Sequence, residues 1–223
     1  MKGFVMKKTE DFVLELGQIS SEHVAQLSES FNNLPKNEYF DGEYRLRRYS
    51  RFNFSRKKLP HIGIINKLRK LPTKTFTQSA EFNSFQGDLE RSYEKIEQRT
   101  FDTQAFIEML TRFKQIASLD DKADVEVHQF RVRTDGNQIV KVTPEGVHQD
   151  GYKFVGMFVL RRNNLIGGEI CIHTKKQATP FIKHSFNNGE FVVFNDKRFW
   201  HSAEDIDAAG GGEAYLDAFV LTA

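Results

Sequence analysis

The second half of the chain is a succession of short apolar runs in which hydrophobic and polar positions alternate. Such runs predict β-strands, because successive side chains of a strand point to opposite faces. Turn residues separate the runs, as at Asp135-Gly136 and Asn187-Asn188-Gly189. Short strands without helices between them favour a closed barrel or sandwich of jelly-roll type. The predicted strands are Val125–Arg133, Gln138–Val142, Phe154–Arg161, Gly168–Thr174, Phe181–Ser185, Glu190–Phe194 and Tyr215–Thr222.

The first 120 residues carry the helical pattern. Apolar positions recur with helical spacing up to Leu34, after a candidate N-cap at Ser20 or Ser21, and Pro35 limits the extension of this helix. A second predicted helix begins after Asp102 as its cap. Between the two helices, residues 44–54 are rich in arginine and aromatic side chains and predict a strand.

These elements together predict a single domain over residues 1–223, mainly β with flanking helices (α+β). Residues 1–120 form a helical and strand region that packs on the core, and residues 121–223 form the core itself. The net charge of +2 does not favour nucleic acid as a partner, although residues 45–70 are strongly basic. The single cysteine, Cys171, excludes an internal disulfide framework and a multi-cysteine zinc site.

The sequence contains no long apolar run and no secretory signal pattern, so we expect a cytoplasmic protein that does not bind membranes. We expect a small-molecule substrate as its partner. A homodimer is compatible with the sequence, which does not decide the oligomeric state.

The candidate chemistry lies in the motif Val147-His148-Gln149-Asp150-Gly151 and in a distant histidine, His201. In an extended segment His148 and Asp150 point the same way, so both can bind one metal ion. Two imidazoles and one carboxylate form the facial triad that leaves coordination positions open and is typical of non-haem Fe(II). His148, Asp150 and His201 are therefore the predicted metal-binding and catalytic residues.

A histidine and an aspartate two residues apart also occur in ordinary surface turns with an aspartate cap. The surroundings favour the metal site. The motif ends in a glycine, precedes an apolar strand, and is followed by a second glycine turn at Gly167-Gly168-Glu169. His201 then follows within another strand-like stretch.

Several ordered blocks resemble one family, the bacterial Fe(II)/2-oxoglutarate-dependent dioxygenases that hydroxylate free L-amino acids. That family includes the L-isoleucine hydroxylases and biofilm-stress-protein relatives. The resemblance covers residues 125–222 in order and, more loosely, residues 45–54. The blocks that carry it are VEVHQFRVR, TPEGVHQDG, FVGMFVLRRNN, GGEICIH, FNDKRFWHS and YLDAFVLT.

The resemblance implies a double-stranded β-helix core of the jelly-roll or cupin-like kind, with Fe(II) held by His148, Asp150 and His201. It implies 2-oxoglutarate and O₂ as cosubstrates and the hydroxylation of a free amino acid, most simply one with an isoleucine-like side chain. Succinate and CO₂ would be released. It also suggests that Arg47, Arg48 or Arg51 pairs with a substrate carboxylate. We expect Trp200 to form part of the pocket wall.

One position departs from the family pattern. Leu216 stands where an arginine is expected to bind the far carboxylate of 2-oxoglutarate, and no Lys or Arg follows His201. A buried dianion needs a cation, so we expect one from another strand, either Arg161 or Arg162 or else Arg131 or Arg133, with Arg162 and Arg131 as the chosen candidates. Two alternatives stay open: a non-catalytic metal-binding jelly-roll protein with a stress or biofilm role, and a cupin-type metalloenzyme that does not use 2-oxoglutarate.

Overall fold

The structure is a computed structural model that describes residues 12–59 and 63–223. Its elements in chain order are β1 (Leu14–Gln18), α1 (Ser21–Ser28), a 3-10 turn (Glu29–Phe31), β2 (Arg45–Leu59), β3 (Gly63–Lys70), α2 (Gln98–Phe101), α3 (Gln104–Ile116), β4 (Val125–Thr134), β5 (Phe154–Asn163), β6 (Leu165–Gly167), β7 (Ile170–His173), β8 (Ile182–His184), β9 (Glu190–Asn195), β10 (Trp200–Ala203), β11 (Ile206–Ala208) and β12 (Ala214–Thr222). None of the described helices is both long and apolar enough to span a membrane.

The strands form one large and two small antiparallel sheets. The large sheet has the order β1-β9-β5-β12-β4-β2-β3, a small sheet has the order β10-β7-β8, and β11 pairs with β6. The large sheet and the β10-β7-β8 sheet enclose an apolar core between them. This is a jelly-roll-like fold with few helices, so the predicted fold class is confirmed.

The two faces of the large sheet have different partners, as alternation along each strand requires. On β12, Leu216 and Ala218 belong to the core between the sheets, whereas Phe219 and Leu221 pack in a second core that contains α1 and α3. The helices thus cover the outer face, and the inner face is left to form the site.

Helix α1 begins where the sequence predicts but is shorter than predicted. Ser20 caps it by accepting the backbone N–H of His23 at 3.2 Å. The α-helix ends at Ser28 and continues only as the 3-10 turn Glu29–Phe31, so the prediction that it extends to Leu34 was wrong. The hydroxyl of Ser30 donates to the Leu27 carbonyl at 2.6 Å, and this bond takes a carbonyl that a continuing helix would use.

Helix α3 is capped by Thr103 rather than by the predicted Asp102. Thr103 Oγ1 accepts the backbone N–H of Phe106 at 3.1 Å, while Asp102 ends the short helix α2. Most apolar positions of α3 are buried at helical spacing, which is the amphipathic pattern of a helix packed on a sheet. They include Phe106, Met109, Leu110 and Phe113.

Two strand predictions differ from the structure in extent. The basic segment over residues 44–54 forms β2, which lies in the large sheet beside β4 and continues to Leu59. Over residues 138–142 the structure has one isolated bridge, at Val140, in place of the predicted strand. Side chains, rather than a neighbouring strand, donate hydrogen bonds to two backbone carbonyls of this segment. Thr134 Oγ1 donates to the Gln138 carbonyl at 2.6 Å, and the Arg45 guanidinium donates to the Val142 carbonyl.

Candidate metal centre and active site

Three predicted residues converge where the loop before β5 meets β10. His148 and His201 form an antiparallel bridge in which each backbone N–H donates to the other residue's carbonyl at 2.9 Å. Their rings lie side by side, with centroids 4.2 Å apart. Asp150 lies beside both rings, and one ligand atom from each residue lies within 4.8 Å of the other two.

The two histidines present Nε2 to this cluster. Gly146 orients the first ring, because its carbonyl lies 2.9 Å from His148 Nδ1 and accepts the proton there. Burial, and then the neighbouring His148, lower the pKa of His201, which is therefore neutral at neutral pH. Two neutral imidazole nitrogens with one carboxylate form the donor set that non-haem Fe(II) prefers. The residues present therefore fit Fe(II).

Asp150 is a carboxylate despite its burial. Burial by itself favours the neutral acid, but the hydrogen bond to His201 and the electrostatic interaction with the two rings hold the pKa of Asp150 well below its usual range. Its Oδ2 lies 3.5 Å from His201 Nε2. Its Oδ1 accepts a hydrogen bond from Gln78 Nε2 at 3.0 Å. An amide that occupies one oxygen orients the carboxylate toward a metal.

A second aspartate, Asp196, fixes the backbone of the metal-binding loop. It is fully buried, and its Oδ2 accepts the backbone N–H groups of Asp150 and Gly151, both at 2.9 Å. Its Oδ1 lies 3.5 Å from His201 Nδ1. Burial, and then the charge of Asp150, raise the pKa of Asp196. From the sequence alone, Asn195-Asp196 is recognisable only as a turn pair.

Gln78 belongs to a buried polar cluster that the sequence pattern did not reveal. Its Oε1 accepts hydrogen bonds from Asn83 Nδ2 at 2.9 Å and from Arg91 at 3.3 Å, and Arg91 also donates to Gln86 at 3.3 Å. These residues lie between β3 and α2, in a segment without helical or strand periodicity. The cluster fixes which end of the Gln78 amide faces Asp150.

A cavity of about 1020 Å³, a volume that includes solvent at its open mouth, lies beside the triad between the two sheets. Charged groups line part of its wall, namely Asp41, Arg45, Arg47, Arg91 and Glu145, and most of the remainder is apolar. A concave, mostly apolar space with a few converging polar groups is typical of a small-molecule site.

A family model described as 2OG-Fe dioxygenase matches residues 28–222 of the chain. The chain belongs to the 2OG-Fe dioxygenase family. This dioxygenase therefore uses Fe(II), 2-oxoglutarate and O₂, and His148, Asp150 and His201 form the site that fits the iron. No curated protein matches the sequence of the dioxygenase.

Solved structures share the fold at low sequence identity. IDO from Bacillus thuringiensis has a TM-score of 0.69 at 18% identity, over 93% of the dioxygenase and 89% of that chain. A bsmA homolog from Methylobium petroleophilum PM1 has a TM-score of 0.70 at 19% identity, over 90% and 80% of the two chains. The Fe(II)/(alpha)ketoglutarate-dependent dioxygenase TqaL has a TM-score of 0.60 at 14% identity, over 91% and 74%.

In the dioxygenase, Leu216 lies in the cavity wall at the point where the family pattern places an arginine. The cations that line the cavity come from other segments. Arg45 and Arg47 lie two residues apart on β2 and so share its inner face, and Arg91 belongs to the Gln78 cluster. Of these three, only Arg47 was predicted from the sequence.

The structure does not bring the other predicted arginines of the site to the cavity wall. Arg131 lies on the outer face of β4, where it makes a double hydrogen bond to Asp217 at 2.6 and 2.8 Å. Arg162 donates to the carbonyls of Gly167 and Gly168 at 2.5 and 3.3 Å. Arg48 points away from the cavity side of β2 and pairs with Glu94 at 2.8 Å.

Trp200 also lies outside the cavity wall. Its position on β10 directly before His201 turns the indole to the opposite face of that strand. Lys176 Nζ lies 5.6 Å from the centre of the indole. On this strand His201, Ser202 and Ala203 line the cavity instead.

Proposed function

We propose that this dioxygenase hydroxylates a free L-amino acid with an aliphatic, isoleucine-like side chain and releases succinate and CO₂. The observation that carries the proposal is the charge pattern beside the triad. Arg47 and Arg91 both line the cavity beside the triad. Cationic side chains in a largely apolar wall favour an anionic ligand. Apolar side chains around them suit an aliphatic substrate: Phe76, Phe130, Met157, Val159 and Ile170.

Arg47 is the proposed anchor for the substrate carboxylate. Tyr93 Oη accepts one of its N–H groups at 3.1 Å, and its guanidinium lies 5.1 Å from the Tyr93 ring centre and 5.9 Å from that of Phe130. These two aromatic rings and the Tyr93 hydroxyl hold the guanidinium in one orientation. A planar carboxylate matches the fork geometry of such a group.

Arg45 is the proposed anchor for the far carboxylate of 2-oxoglutarate. Leu216 pairs with Val132 across β12 and β4, and Val132 pairs with Arg45 across β4 and β2. The three residues form one row on the inner face of the sheet, since residues directly opposite one another point the same way. The cation missing at Leu216 is thus present in the same row, two strands away.

Bound to His148, Asp150 and His201, Fe(II) supplies, with 2-oxoglutarate and O₂, the oxidising chemistry that this family applies to C–H bonds. The chain binds the two carboxylates, aligns the substrate and excludes water. Gln78 occupies one oxygen of Asp150 and leaves the other to the metal. The apolar wall holds the aliphatic side chain near the triad.

Two measurements on the purified protein test this proposal. Under anaerobic conditions, Fe(II) and 2-oxoglutarate should produce the weak visible absorption band of their chelate. In air, one or more members of a panel of free L-amino acids should give substrate-dependent release of succinate, with a product heavier by one oxygen atom. A His148→Ala variant should lose both signals.

The outcomes separate the proposal from its alternatives. If Fe(II) binds but the visible band is absent, the result would support a metal-binding module without oxygenase chemistry. The sequence feature that favours this alternative is Leu216, which stands where an arginine is expected. A normal band with no succinate from any amino acid would contradict the substrate class while leaving the family chemistry in place.

A further inference from the structure

Glu145 is a cavity carboxylate that the metal triad does not use. It lies in a β-turn in which the Gly146 N–H donates to the Thr143 carbonyl at 2.9 Å, with Pro144 at the second position. Its side chain is 13% exposed, and its Oε1 lies 3.3 Å from His148 Nε2. The turn thus places a carboxylate beside the nitrogen that faces the metal.

Within the described part of the chain, His148 is the one group in hydrogen-bond or ion-pair contact with this carboxylate. Neither nearby arginine contacts this carboxylate: Arg45 Nε lies 3.5 Å from Asp41 Oδ2, and one N–H of Arg47 donates to Tyr93 at 3.1 Å. His148 Nδ1 donates to the Gly146 carbonyl, so Nε2 carries no proton once it binds a metal. The carboxylate of Glu145 is then left without a donor in a largely buried place, where an unpaired charge is costly.

We propose that Glu145 binds the ammonium group of the substrate, so that the site selects amines over the corresponding hydroxy acids. This inference rests on the proposed function and adds to it the group that distinguishes an amino acid from any other small carboxylate. Cationic Arg47 and Arg91 and the carboxylate of Glu145 line the same cavity, and a metal bound at His148 leaves that carboxylate without a donor. Separate sites of opposite charge are complementary to a zwitterion.

The experiment compares ligands that differ only in this group. The anaerobic Fe(II)–2-oxoglutarate complex is titrated with L-isoleucine, L-leucine, L-valine and L-methionine, with the 2-hydroxy acids of the same skeletons, and with 2-methylbutylamine and isobutylamine. The change of the visible band reports binding. The variants are Glu145→Gln, which keeps the shape but removes the charge, and Glu204→Gln as a matched control. Glu204 is half exposed and pairs with Lys183 on the outside.

For the wild type we expect the amino acids to bind more tightly than their hydroxy acids. Glu145→Gln should weaken amino-acid binding by about tenfold or more, since it removes a charge-assisted hydrogen bond. The affinity for hydroxy acids should not fall, and Glu204→Gln should behave as the wild type. The Fe(II) dissociation constant, measured separately, should be the same in all three proteins.

Other outcomes overturn the inference. Equal weakening of amino acids and hydroxy acids, or no weakening of either, would exclude an ammonium site at Glu145. A large loss of Fe(II) affinity in Glu145→Gln with unchanged preference would make Glu145 a fourth metal ligand instead. If amines bind through Glu145 but no amino acid is hydroxylated, the ammonium site stands and the proposed function fails. If neither amines nor amino acids bind, both fail.

Discussion

Replacing Arg45 by methionine tests whether the cation for 2-oxoglutarate has moved from β12 to β2. Methionine keeps a long apolar stem and removes the guanidinium. Arg45 is 8% exposed, its Nε lies 3.5 Å from Asp41 Oδ2, and it donates to the Val142 carbonyl. The substitution therefore removes one buried charge in the row that contains Leu216, on the face that lines the cavity.

The expected magnitude follows from the hydrogen bonds that the guanidinium can make to a carboxylate. Each charge-assisted hydrogen bond contributes about 1.5–3 kcal/mol. Because Arg45 also donates to Val142, we take the lower value for each of two bonds, a total of about 3 kcal/mol. The dissociation constant of 2-oxoglutarate should then rise by roughly 100-fold.

The assay is an anaerobic titration of the Fe(II)-loaded protein with 2-oxoglutarate, followed by the visible band of the chelate. Arg48→Met is the matched control, because Arg48 lies on the same strand but faces away from the cavity and pairs with Glu94. The affinity of the control for 2-oxoglutarate should equal that of the wild type. Adding Leu216→Arg to Arg45→Met should restore part of the lost affinity, since it returns a cation to the same row.

If Arg45→Met binds 2-oxoglutarate as tightly as Arg48→Met does, Arg45 does not bind the far carboxylate of 2-oxoglutarate. The cation would then lie elsewhere, and Arg162, which pairs with Leu216 from the other side, would be the next residue to replace. The melting temperature of Arg45→Met, measured in parallel, separates loss of binding from loss of folded protein.

Three further predictions follow from the surroundings of the site. Gln78→Leu should weaken Fe(II) binding by about 10- to 100-fold, because Asp150 loses the amide that orients it; metal titration checks this, and unchanged affinity would contradict it. Asp217→Asn leaves Arg131 and Arg161 without their buried partner and should lower the free energy of unfolding by about 3 kcal/mol. Calorimetry should then show a fall in Tm of about 6–12 °C. Burial, and then Arg47, hold the pKa of His128 well below its ordinary value of 6.5. His128 therefore binds a proton near pH 6.5 in the unfolded chain but not in the native chain. The free energy of unfolding keeps its full value above that pH, and at lower pH it decreases by up to about 1.4 kcal/mol per pH unit. Urea unfolding of metal-free protein at several pH values should show a smaller fall in His128→Gln, and an equal fall would refute this cause.

The metal triad could be predicted from the sequence because its geometry is largely local. His148 and Asp150 lie two residues apart in an extended segment, so backbone alternation alone places them on one side. Only the distance to His201 required the fold. The same alternation could have separated Arg47 from Arg48, since neighbours on a strand cannot both face the cavity.

The arginine that replaces the family's residue at Leu216 could not be identified in this way. Arg131 faces the helices because a buried partner, Asp217, lies opposite it on β12, 86 residues away in sequence. Arg162 turns to carbonyls in the next loop. The residue types next to Arg131 and Arg162 in the sequence do not indicate these partners.

The sequence by itself determined the strand-rich jelly-roll class, the two helices that cover it and the His148–Asp150 pair, because alternation, helical periodicity and close ligand spacing are properties of short segments. The tertiary structure alone decided which charges face the cavity and which oxygen of Asp150 is occupied. Gln78 and Arg91 come from a segment without periodicity, and Arg45 enters through pairing of β2 with β4. Such contacts join residues distant in the chain, and they depend on how the sheets close rather than on any local preference.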